Sequence, residues 1–165
     1  MNPLPVVIDT NIVSGLARRD LPAEELAALG QIAGAVRDSR LTVWVTTNVR
    51  EELAQIQPAD HQIPHWRVYE QWREIPGYPS TQTLPVDFQG ARPVLEVYDG
   101  LRTFLRDPPD AQITAAAFQA NAPFIVTYDI KSFRRFSEQI YPIAHVHVRI
   151  PTEFATDILP GLYEP

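Results

Sequence analysis

"DPPDAQITAAAFQANAPFIVTYD", Asp107 to Asp129, decides the fold. Asp107 followed by two prolines reads as a helix cap with proline at the first helical position. Asp110 then becomes the third helical residue, where the capping box and the helix dipole favour an acid. The alanine-rich run "DAQITAAAFQAN" is the helix, and "FIVTYD" is a short β-branched strand closed by Asp129. Either acid alone is ordinary. The question is whether other acids occupy equivalent places along the chain.

Outward from this stretch, the chain alternates between strands and helices. "PLPVVID" reads as a buried strand, and "PAEELAALGQIAGAVRDSR" as a helix with Pro22 at its first position and Leu26, Leu29, Ala33 and Val36 on one apolar stripe. "LTVWVTT" is a second strand and "NVREELAQI" opens another helix. "ARPVLEVYDGLRTFLR" has helical spacing through Val94, Val97, Leu101 and Phe104. After "FIVTYD" come helix "IKSFRRFSEQI", strand "HVHVRI" and a short helix in "PTEFATDIL". Only residues 57–93, dense in proline and aromatics, resist assignment. The alternation predicts an α/β fold of three α/β/α layers around a central parallel sheet. With no internal repeat or long linker, one domain over residues 1–165 is expected.

Composition narrows the function classes. The 165 residues are 45% hydrophobic and 21% charged, which is the balance of a folded domain with a real core. No apolar run approaches a membrane span, and the amino terminus shows no secretory pattern. Cysteine is absent, so packing alone holds the fold; a cytoplasmic location is expected. A formal net charge of −6 argues against gripping nucleic acid by bulk charge. Of the 14 basic residues only Lys131 is a lysine, and arginine's planar fork suits local phosphate contacts.

In open parallel sheets, sites form beyond the carboxyl ends of the strands. Asp9 directly follows "VVI", and Asp129 closes "FIVTY". Glu51 and Glu52 lie in the first turns after "TVWVTT". Asp107 and Asp110 begin the helix that runs back before the last of these strands, so they start near the same edge. Four segments thus deliver carboxylates to one rim. Most of these acids also have a local role open to them. Asp9 and Asp129 are turn formers, Asp107 is a helix cap, and Asn48 with Glu51 makes a capping pair. Glu52 alone is left without a local job.

Clustered carboxylates repel and raise one another's pKa, a problem that a divalent cation solves. Hard oxygen ligands without a Cys or His cluster suit Mg²⁺ or Mn²⁺. His145 and His147 alternate along a strand without ligand partners. His61 and His65 have helical spacing, but no acid completes a zinc motif.

These residues resemble a PIN domain. The resemblance rests on "VVIDTNIVSGL", "TTNVREELAQI" and "DPPDAQITAAAFQANAPFIVTYDIKSF", with "RIPTEFATDIL" similar to the family's closing segment. It implies a catalytic and metal-binding set of Asp9, Glu52, Asp110 and Asp129, supported by Thr10, Asn11 and Thr127 behind the ligands. It further implies a Mg²⁺- or Mn²⁺-dependent endoribonuclease acting on single-stranded RNA, which leaves a 5′-phosphate and a 3′-hydroxyl. Many members are toxins of toxin–antitoxin pairs, so an antitoxin partner and a homodimer come with the resemblance. Residues 57–93 show no family pattern.

Arg18, Arg19, Lys131, Arg134 and Arg135 are candidates for tracking a phosphate backbone, with solvated helix faces as the competing reading. Tyr128, Trp44 and Phe133 read as core or rim packing rather than base-stacking platforms. The competing function is a PIN-like module that binds RNA or protein without cutting. A receiver domain needs a second acid after strand one and a lysine after strand five, and "IDTN" and "HVHVRIP" supply neither. A DxD phosphatase fails because Asn11 holds the second acidic position.

Overall fold

Val6, Val7 and Ile8 are each no more than 2% exposed, so the strand they form is covered on both faces. In the computed structural model, which describes residues 2–78 and 88–163, this strand is the centre of a five-stranded sheet. The strands are β1 (Leu4–Ile8), β2 (Leu41–Thr46), β3 (Arg73–Ile75), β4 (Phe124–Val126) and β5 (His147–Arg149), in the order β3-β2-β1-β4-β5. Every pairing is parallel; Val7, for instance, faces Trp44 on one side and Ile125 on the other. The chain steps outward from β1 to β3, then returns to place β4 against the other side of β1. The carboxyl ends of β1 and β4 therefore border the topological switch point, where open α/β sheets leave a crevice.

Eight α-helices are described: α1 (Thr10–Arg18), α2 (Ala23–Arg37), α3 (Thr47–Leu53), α4 (Gln62–Tyr69), α5 (Phe88–Arg102), α6 (Pro108–Gln119), α7 (Ser137–Ala144) and α8 (Pro151–Asp157). Right-handed crossovers put the helices between β1 and β3 on one face and those between β3 and β5 on the other. The packing agrees: α1 lies on α4 and α2 on α8, while α5, α6 and α7 pack together. The result is a three-layer α/β/α fold.

α6 is buried on nearly all sides, from Asp110 and Ala111 through Ile113 to Ala117. Its alanines let it approach the sheet closely while α5 and Tyr78 cover its other side, where Tyr78, Val94, Ala115 and Ala116 form a second small apolar cluster.

Several elements depart from the sequence reading. Pro22 caps α2 rather than opening it, and the buried positions are Glu25, Ala28, Ile32 and Ala35. Leu26 is 40% exposed, so the stripe is rotated by one residue. The reason is tertiary: Glu25 turns inward to accept Thr152 N–H at 3.0 Å and the Thr152 hydroxyl at 2.9 Å, capping α8 from another segment. After Leu101 of α5 the core contact is made by Leu105, while Phe104 is half-buried; both lie beyond the helix end. The strand "FIVTYD" ends at Val126, because Thr127 and Tyr128 bond to the turn after β1. The helix expected over "IKSFRRFSEQI" begins only at Ser137, after a turn and a 3₁₀ turn at Arg134–Phe136.

The unassigned region holds a 3₁₀ turn at Ala59–His61, then α4 and the edge strand β3. α4 leaves no clear helical signature because Pro64 lies inside it. Pro64 sits in the first turn, where no hydrogen bond is lost. β3 has three residues, too few to show alternation. Residues 79–87 of this region lie outside the described residues, as do Met1, Glu164 and Pro165.

Candidate active site

Asp9 leaves β1 in extended conformation (φ −87°, ψ 160°) and caps α1. Its Oδ1 accepts Thr10 N–H at 2.7 Å; its Oδ2 accepts Asn11 Nδ2 at 2.7 Å and the Thr127 hydroxyl at 2.8 Å. A carboxylate has about four acceptor sites, so three are filled and one, on Oδ1, is open. Thr127 is equally committed, accepting Asn11 Nδ2 at 2.9 Å and Asp129 N–H at 3.0 Å. Asn11 Oδ1 accepts Tyr128 N–H at 2.7 Å. The turns after β1 and β4 are thereby tied into one unit.

Asp110 is the third residue of α6 and only 8% exposed. Glu52 is half-buried on α3, while Glu51 faces solvent. The capping pair expected of Asn48 and Glu51 does not form, because α3 begins at Thr47, behind Thr46. Asn48 instead binds both backbone groups of Tyr78, donating to its oxygen and accepting from its N–H at 2.9 Å each, and Thr47 Oγ1 accepts Gly77 N–H at 2.7 Å. The segment after β3 is thus fastened to the first turn of the helix that carries Glu52. Asp107 stands at the cap position of α6, but its side chain makes no capping bond. Asp129 keeps its turn-forming role: Ser132 donates to it from its N–H at 2.9 Å and from its hydroxyl.

The acids act on one another. Burial, then the charges of Asp9, Asp107, Asp129 and Glu52, push Asp110 up to about 8. Burial, then the Asp9 charge, pushes Glu52 up to about 7, with a further push from Asp107 and a partial offset from the Thr10 side chain. Burial raises Asp9 to about 6 despite its bonds from Thr127, Thr10 and Asn11, and Asp129 adds to the rise. Asp107 is therefore a fifth acid of the rim that the sequence reading assigned to capping. Its exposure and missing cap bond follow from the tertiary course of the chain, which no local signal reports.

The donor set is all oxygen and negatively charged, which fits a hard divalent cation. Thr10 Oγ1 is buried with the Glu52 carboxylate as its polar neighbour, so these two side chains face one another at the rim. As they stand, no three Asp, Glu or His side chains among the described residues converge as a ready-made ligand group. A shared cation would require these carboxylates to draw closer together. The residues that would hold it are Asp9 through its open Oδ1 position, Asp110 and Asp129, with Glu52 adjoining.

The PIN domain family model matches residues 5–131, well over half of the chain. The chain belongs to the PIN domain family. The PIN domain is in general a nuclease-type fold, and its members typically use divalent metals. No curated protein matches the chain. The match runs from β1 through the turn after Asp129 and so contains all five rim acids.

Other candidates sit less favourably in this PIN domain. Arg18 and Arg19 end α1, about 12 Å from the rim at 1.5 Å per residue, so they do not border the acids. Arg134 is held by Glu153 through two bonds, Nε–Oε2 at 2.6 Å and Nη2–Oε1 at 3.0 Å. Arg135 and Lys131 are exposed near Asp129. Phe133 is fully buried, while Trp44 and Tyr128 are half-buried against the core. His65 Nδ1 pairs with His61 O at 2.8 Å, and His147 stacks on Tyr141. A concavity of about 580 Å³ lined by Leu4, Asp38, Arg40 and Leu162 lies at the amino end of β1, away from the acids. Among the described residues no helix is long and apolar enough to cross a membrane.

Proposed function

We propose that this PIN domain is a Mg²⁺- or Mn²⁺-dependent endoribonuclease that hydrolyses phosphodiester bonds of single-stranded RNA. The observation that carries this reading is Asp110 at the switch point, its pKa raised first by burial and then by the charges of four other acids. Ionised carboxylates so placed are unfavourable alone, and perturbed acids in a crevice mark functional sites.

A divalent cation at these oxygens supplies an acidified water and a counter-charge for the phosphate. The chain orients the groups around it. Thr127, Asn11 and Thr10 N–H fix the Asp9 carboxylate and leave one acceptor site on Oδ1. Asp110, near-buried at the start of α6, adds an oxygen whose position the helix sets. Glu52, facing the Thr10 hydroxyl at the edge of this group, is placed to orient a water. A bound cation would also reconcile a chain of net charge −6 with an anionic substrate, because it reverses the charge at the site.

The test is cleavage of unstructured RNA with and without Mg²⁺ or Mn²⁺, with Asp9→Asn and Asp110→Asn alongside. Cation-dependent cleavage that leaves 5′-phosphate ends and disappears in both variants is expected. Cation-independent cleavage, or full activity in Asp9→Asn, overturns the reading.

A second reading is a PIN-like module that binds RNA or protein without cutting. It is favoured by Asp129, each of whose oxygens already accepts a bond from Ser132. Cation-dependent stabilisation with no turnover on several RNAs supports it. The toxin role, an antitoxin partner, a homodimer and a cytoplasmic setting rest on the family resemblance and the cysteine-free composition. Growth arrest on expression, relieved by Asp9→Asn, tests the first of these.

A further inference from the structure

Beside the acids, two loops that leave the same rim meet through aromatic rings. Phe104 lies in the connection from α5 to α6, three residues before Asp107. Phe136 closes the 3₁₀ turn after Asp129. Their ring centroids are 5.7 Å apart with planes tilted by 47°. Both rings are half-buried, anchored on the core with part of each surface in solvent. The Arg135 guanidinium, exposed, stands over the Phe136 ring at 4.5 Å. Arg134 N–H, one residue earlier, bonds to the Asp129 carbonyl at 2.8 Å, which fixes this turn to a rim acid. Residues 133–136 lie beyond the end of the family match at residue 131.

We infer that Phe104, Phe136 and Arg135 form a stacking subsite for one nucleobase of the RNA strand, with Arg135 and Lys131 meeting the adjoining phosphates. This rests on the ribonuclease reading of the neighbouring acids and extends it to how the strand is held. The physical case has three parts. Guanidinium planes and aromatic rings are the groups on which unstacked bases pile, and an arginine over a ring offers both together. Arg134 is neutralised by Glu153, so the free positive charge of the turn belongs to Arg135 and Lys131. The acids around Asp110 would repel a phosphate backbone, so cationic groups beside them are where the strand gains its grip. A strand seated here runs from the ring pair along the turn toward Asp129 and Asp110.

The experiment measures kcat/KM on a short single-stranded RNA and on the same RNA carrying one abasic nucleotide, scanned across positions around the cut. Wild-type protein, Arg135→Ala and Phe136→Leu are compared in the presence of Mg²⁺ or Mn²⁺. The wild type should lose roughly tenfold when the abasic site reaches one particular position, from the usual worth of a stacked base. Each variant should lose a similar factor on intact RNA and nothing further from that abasic site. Additive losses, or variants that match wild type on intact RNA, overturn the subsite while leaving the nuclease reading in place. Failure of wild-type protein to cut any RNA overturns the nuclease reading and the subsite together. If Phe136→Leu loses its thermal transition, the exposed Arg135→Ala variant carries the same comparison.

Discussion

Thr127 donates its hydroxyl proton to Asp9 Oδ2 at 2.8 Å, joining residues 118 positions apart in sequence. The bond sets the direction of the Asp9 carboxylate and stitches the end of β4 to the end of β1. Thr127→Val keeps the shape and removes the hydroxyl, leaving Asn11 Nδ2 and Asp129 N–H short of an acceptor. Stability should fall by about 1–3 kcal/mol, as expected for unpaired buried polar groups. RNA cleavage should fall at least tenfold, while Thr127→Ser retains most of both. Urea denaturation and cleavage rates check the pair; an unaltered Thr127→Val in both assays refutes the assigned role.

The raised acids predict an unusual pH dependence. Asp9, Glu52 and Asp110 shift from ordinary values of 3.8, 4.5 and 3.8 to about 6, 7 and 8. Between these limits the folded protein binds more protons than the unfolded chain, so stability falls as pH rises. The cation-free protein should therefore lose stability progressively from about pH 4 to about pH 8. Saturating Mg²⁺ should flatten that slope, because a cation substitutes for the protons. Thermal melts across this range with chelator and with Mg²⁺ measure both effects. Stability that climbs with pH in chelator contradicts the electrostatic picture.

Asp110→Asn removes the acid that feels most of the others. At pH 8 without cation, Tm should rise by about 2–4 °C, the size expected for roughly 1 kcal/mol in a domain of this length. Mg²⁺ should then stabilise the variant less than wild type, and cleavage should be lost. A lower Tm at pH 8 is the outcome that counts against mutual repulsion.

Arg134 is committed to Glu153, which also accepts Ile150 N–H at 3.2 Å and so steadies the start of α8. Arg134→Ala should lower stability by about 1 kcal/mol or less, the scale of a partly exposed pair. The salt dependence of RNA binding should stay that of wild type. A clear drop in its slope would return Arg134 to the phosphate-tracking group.

Gly77 lies against the Asn48 side chain so closely that an added Cβ would overlap its Oδ1 and Thr47 Oγ1. Gly77→Ala must displace the Asn48 and Thr47 side chains that fasten α3 to the segment after β3, at about 1–3 kcal/mol. Because α3 carries Glu52, cleavage should fall as well. Normal denaturation and activity in this variant would show that the clamp yields without effect.

What the sequence determined by itself was the alternation of strands and helices and the placing of Asp9, Glu52, Asp110 and Asp129 at the ends of those elements. These are local properties: β-branched runs make buried strands, helical spacing makes amphipathic faces, and a strand's end is visible where its apolar run stops. The tertiary structure alone decided which groups are spoken for. Asn48 left its helix cap for Tyr78, Glu25 turned inward to cap α8, Arg134 was claimed by Glu153, and Asp107 was freed to act on Asp110. The three hydrogen-bonded choices depend on partners 19, 30 and 127 residues away, and the fate of Asp107 depends on the path of the chain into α6. Hydrogen-bond competition and burial settle such pairings only once the sheet has brought the segments together, so no window of sequence contains them.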